Sequence, residues 1–127
     1  MKINPRSFSA LLLALAAVVG TPARAHGDVR PLHGGIVQQV QDLDFELVPQ
    51  ADGAILYLRD HEQPLASAGV RGRLSVLNGS YRAEAELQPA GENRLRVSGV
   101  KLDKGARAVA TLSGVQGKTL TVRFVVK

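Results

Sequence analysis

Residues 71–88 read RGRLSVLNGSYRAEAELQ, and this stretch decides the fold. Leu74 and Val76 on one side of Asn78-Gly79, and Tyr81, Ala83, Ala85 and Leu87 on the other, alternate with Arg, Ser and Glu. A repeat of two is that of a strand with one face buried and one wet. Asn-Gly between two such runs is a strong hairpin signal, because a type I′ turn needs positive φ at both central residues. The register it predicts pairs Leu77 with Ser80. Arg73 then faces Glu84 and Arg71 faces Glu86 on the wet side, while Val76 meets Tyr81 and Leu74 meets Ala83 in the core. Much of the arginine content is thereby explained as cross-strand ion pairing.

The same alternation extends outward in both directions. Strands are expected over 36–40, 43–48, 54–59, 71–77, 80–88, 94–98, 106–112 and 118–126, separated by Gly, Pro, Asn and Asp. No long stretch after Gly35 carries helical spacing. The expectation is an all-β domain, an immunoglobulin-like β-sandwich of seven or eight short antiparallel strands, with a small β-barrel as the alternative. Asp52-Gly53 offers a second turn. Centred there, it would set Glu46 opposite Arg59, Leu47 opposite Leu58 and Asp44 opposite His61. Pro49 cannot donate to a ladder, which points to an edge or a wider loop.

The first 25 residues read as a secretory signal. Lys2 and Arg6 precede an apolar run from Ser9 to Gly20, too short to span a bilayer comfortably, and Ala23-Arg24-Ala25 supplies the small residues a signal peptidase reads. Cleavage after Ala25 would leave one domain, residues 26–127, in the periplasm or outside the cell. Three of the 16 basic residues leave with the signal, so 13 would face 11 acidic ones. The basic balance of the whole chain is thus a poor argument for nucleic acid. There is no cysteine, which excludes a disulfide framework and a thiolate metal site. There is no tryptophan either, so a sugar or base-stacking platform is not expected.

Catalysis finds little support. No serine sits in a nucleophile elbow, no cysteine exists to attack, and the glycines fall at turns rather than in a phosphate loop. A binding role is expected instead. HGDVRPLHGG, His26 to Gly35, carries two of the three histidines. With His26 at the mature terminus, its α-amine and imidazole could chelate one ion together, Asp28 adds a hard oxygen, and His33 a second imidazole. His61, between Asp60 and Glu62, is a third candidate ligand if the loops meet in space. A nitrogen and oxygen set without sulfur suits Cu(II) first, with Ni(II) and Zn(II) behind. The competing reading is structural. It has His26 in a loose tail, His33 bonded to backbone at a strand entrance and His61 solvated in a polar turn.

His33-Gly34-Gly35, the run Asp42-Leu43-Asp44-Phe45-Glu46-Leu47, then Tyr57-Leu58-Arg59-Asp60 and Pro64-Leu65 resemble a known pattern. It is that of the small β-rich domain in periplasmic adaptor subunits of heavy-metal RND efflux pumps. The resemblance covers about residues 31–126 and implies a free-standing module in metal handling, with an efflux or other envelope protein as its partner. The helical hairpin, lipoyl-like and barrel parts of an adaptor are missing, so efflux itself does not carry over. His61 stands where that pattern usually has glycine. The chain is also similar, in size, export and His26 alone, to small periplasmic copper-binding sandwiches. The alternative function is an envelope interaction module that binds no metal.

Overall fold

The computed structural model describes residues 29–127. The expected signal segment, and with it His26 and Asp28, lies outside the described residues. The strands are β1 (Ile36–Val40), β2 (Leu43–Gln50), β3 (Gly53–Asp60), β4 (Gln63–Pro64), β5 (Arg71–Asn78), β6 (Tyr81–Pro89), β7 (Arg94–Ser98), β8 (Arg107–Val115) and β9 (Lys118–Val125). Eight of the nine were expected within a few residues; only the two-residue β4 was missed. No helix among the described residues is long and apolar enough to cross a membrane.

The strands follow one another in space as β1-β2-β3-β7-β6-β5-β8-β9, with β4 on the end of β3. All seven pairings along that path are antiparallel. β6 joins the two halves, pairing with β5 as far as Leu87 and with β7 at Gln88 and Pro89. β1 then packs against β9 without a ladder between them. The architecture therefore lies between the two forms expected from sequence: a sandwich whose sheets are one continuous sheet, closed into a barrel except along one seam. Its interior is aliphatic, with Phe45 and Phe124 as the largest buried rings and Leu47, Leu56, Leu58, Leu74, Leu95 and Leu112 packed around them.

Both predicted hairpin registers are off by two residues. β5 and β6 pair Asn78 with Tyr81, so Arg73 lies opposite Glu86, Val76 opposite Ala83 and Leu74 opposite Ala85. Positive φ falls on Gly79 but not on Asn78, so Gly79 is the first central residue, as in a type II′ turn, rather than the second of a type I′. Arg73 still reaches Glu84, diagonally, Nε to Oε1 at 2.6 Å. β2 and β3 turn through Ala51-Asp52, and Gly53 closes the ladder opposite Gln50. Gly53 is paired within the strand, and glycine is needed there because β7 runs so close that a Cβ would collide with the Val97 carbonyl. Asp44 accordingly faces Arg59, and Glu46 faces Tyr57. A shift of two preserves which face each side chain occupies, so the inside and outside assignments survive. The type I′ pattern occurs elsewhere, at Gln41-Asp42 between β1 and β2, where both residues have positive φ.

Candidate functional site

β2 departs from simple alternation. Leu43, Phe45 and Leu47 point into the barrel, yet Asp44 and Glu46 on the opposite face are also buried. Their cover is the stretch ahead of β1. Residues 30–35 cross the outer face of β2 and β3 as a strap, and a single carboxylate pins them. Glu46 Oε1 accepts the Leu32 N–H at 2.9 Å, while Oε2 accepts those of His33 at 2.8 Å and Gly35 at 2.9 Å. Such charge-assisted bonds are stronger than neutral ones, and they satisfy a carboxylate that has no exposed surface.

The His-Gly-Gly sequence fits this arrangement residue by residue. Gly34 takes φ of 72°, which turns the chain so that N–H groups on both sides of it converge on one side chain. Gly35 lies so close to β2 that a Cβ would strike the Leu47 carbonyl. His33 lays its imidazole on the Tyr57 ring, with centroids 3.7 Å apart and planes 9° from parallel. Tyr57 stands directly across from Glu46, so one cross-strand pair holds the strap by both its backbone and its ring.

Arg59 completes the anchor. Its Nη2 donates to the Arg30 carbonyl at 3.2 Å and lies 3.7 Å from Glu46 Oε1. Its Nε is buried without a hydrogen-bond partner among the described residues, although Asp44 is the residue opposite Arg59 in the ladder. Burial pushes the Asp44 carboxyl above its ordinary range, against the pull of the Arg59 guanidinium and a 3.2 Å hydrogen bond from Gln39.

His61 lies elsewhere. It is in the β3–β4 turn, four residues along from Tyr57, or up to about 13 Å at strand spacing. Its φ is 60°, the conformation a glycine would adopt freely, so a histidine is held there with strain. Its Nδ1 meets Asp60 Oδ1 at 2.7 Å, and Asp60 Oδ2 in turn accepts from Gln116 at 3.1 Å. The ring is thus oriented with Nε2 outward, but exposed. Among the described residues, no group of three or more His, Cys, Asp or Glu side chains converges as a metal centre would require. His33 and His61 are each presented singly.

The anchoring role of three residues is not legible in the sequence. By sequence Glu46 and Arg59 read as an ordinary cross-strand pair and Tyr57 as a member of the core, whereas Tyr57 is half-buried opposite Glu46, beneath the His33 ring. The available signal was local: an acidic residue between Phe45 and Leu47, on a strand whose partner carries an arginine on the same face. Comparison with protein-family models, with curated proteins and with solved structures finds no match to this chain.

Proposed function

We propose that the protein is an exported, non-catalytic module that binds a transition-metal ion, Cu(II) first, at the strap, as an accessory to heavy-metal efflux. The observation that carries this reading is the fixing of His33. Its exposed imidazole is clamped on Tyr57 by a strap tied down at Leu32, His33 and Gly35, and neither ring nitrogen has a hydrogen-bond partner among the described residues. A preset imidazole loses little freedom on binding an ion. His26 is three residues ahead of Val29, a reach of about 10 Å, so its amine, its imidazole and the Asp28 carboxylate can supply the remaining donors. His61 is left as a separate, weaker imidazole.

Amine and imidazole must both be unprotonated to bind. Their reference pKa values are about 7.7–8.0 and about 6.5, so affinity should fall steeply between about pH 7.5 and about pH 5.5. The chain has two tyrosines, Tyr57 and Tyr81, and no tryptophan, so its emission comes from these two rings and Tyr57→Phe isolates the part that Tyr57 supplies. Cu(II) titration of protein processed after Ala25 should quench that emission, and Tyr57→Phe should remove most of the change. One extra residue ahead of His26 should weaken binding at least as much as His26→Ala, and His33→Ala should weaken it further. Equal affinity in processed and extended protein would overturn the terminal site. A second reading, an envelope interaction module without metal, is favoured by the outer face of β5, β6, β8 and β9.

A further inference from the structure

The outer face of β5, β6, β8 and β9 carries an unusual cross-strand row. Arg82 lies opposite Leu77, Leu77 opposite Arg107, and Arg107 opposite Val125. Leu77 and Val125 are 42% and 52% exposed, and they are two of the three large apolar side chains left exposed among the described residues. In the next row Arg123 stands beside Val109, which is half-buried. The neighbouring acid, Glu84, is taken by Arg73. Among the described residues Arg82, Arg107 and Arg123 have no carboxylate within ion-pairing distance. Leu77, Arg82, Arg107, Arg123, Val125 and Lys127 all line one open groove.

Positive charge without local neutralisation, set around exposed aliphatic carbon, is complementary to an acidic and partly apolar ligand. The spacing narrows the choice. Diagonal neighbours such as Arg107 and Arg123 stand about 7–8 Å apart, close to the about 6.8 Å at which an extended chain repeats a side chain on one face. Aliphatic residues between the cations would meet the apolar positions of the same chain. A lipid surface is a poorer match, because the row has no aromatic anchor of the kind that seats a protein at a membrane interface.

The geometry points to this face as a docking site for an extended acidic segment of a partner protein, with carboxylates on Arg82, Arg107 and Arg123 and apolar side chains against Leu77 and Val125. The strap and β1 border the same groove through Pro31, Gly34, Gly35 and Ile36, but the row of cations and exposed aliphatic side chains belongs to β5, β6, β8 and β9 and rests on no bound metal. The test uses a fluorescein-labelled peptide of alternating Glu and Val, followed by anisotropy in the presence of a chelator. The peptide should bind, and binding should weaken as salt rises from about 20 mM to about 200 mM. Arg107→Glu with Arg123→Glu should reduce affinity about tenfold or more, with an unchanged thermal midpoint because both side chains are exposed. Leu77→Ser with Val125→Ser should reduce it several-fold at the higher salt, where screening leaves the apolar contribution exposed. Arg96→Glu with Lys101→Glu makes the same change of charge away from the groove and should leave affinity within about twofold. An equal loss in that control pair, no saturable binding of the peptide, or tighter binding to phosphatidylethanolamine–phosphatidylglycerol vesicles than to the peptide would each overturn the proposal.

Discussion

At the residue scale, two buried carboxylates on the same face of β2 have different surroundings. Glu46 has all its surface covered and is satisfied by three backbone N–H groups and Arg59. Glu46→Gln keeps the shape but offers an N–H donor where one carboxylate oxygen accepted, and it leaves Arg59 without its partner. The expected loss is about 2–4 kcal/mol in urea unfolding, with proteolysis appearing first at the strap. Asp44 is held differently, without a backbone donor among the described residues. Burial raises its carboxyl in the folded state above the 3.8 of an unperturbed group. The folded protein therefore holds that proton more tightly than the unfolded chain does. The resulting stabilisation is complete below the unfolded value and disappears as pH rises through the raised one. Compared at successive pH values from acid to neutral, wild type should lose ground steadily against Asp44→Asn. A constant difference would show that burial is not what governs Asp44. None of this was visible from sequence, where Asp44 and Glu46 look like a routine wet face. Their burial depends on a strap whose course no periodicity encodes.

At the element scale, alternation made almost every strand legible, because the barrel has one apolar interior and each strand crosses its wall. Turn chemistry was less informative. Asn78-Gly79 was read as the centre of its hairpin, but the ladder continues through Asn78 and puts Gly79 first in the turn. Conversely, the turn with positive φ at both centres is made from Gln41 and Asp42, residues that favour it far less than Asn-Gly. Asp42→Gly should therefore stabilise the protein by about 0.5–1 kcal/mol, read as a shift in the urea midpoint at unchanged slope. Tertiary pairing of β1 on β2 overrides the local preference there. The His-Gly-Gly stretch stands between these cases. Its residue types were conspicuous, and each has a physical reason, but the partners that give those reasons are 11 or more residues away.

At the scale of the whole molecule, closure is incomplete in one place. Eight strands paired antiparallel in succession bring β1 and β9 side by side in antiparallel orientation, but no ladder joins them. β1 has a ladder to β2 alone and only packing against β9, and the strap ahead of it is held by contacts concentrated on Glu46, Tyr57 and Arg59. β3, by contrast, is paired along both edges, and β5 likewise. The strap and β1 thus form a flap hinged at Gln41-Asp42. It can lift without breaking the remaining seven-strand ladder, so its free energy of opening lies below that of global unfolding. Amide exchange followed by mass spectrometry should find residues 30–40 exchanging together and ahead of β3 and β5, and Glu46→Gln should accelerate that group alone. The unlaced seam has a consequence for assembly as well. When the flap swings out, the edge of β2 lies open, and β1 of another molecule presents the register that β2 lost. The protein thereby carries its own route to exchanging a strand between copies, and the hold of one glutamate on three amides sets how often that route opens.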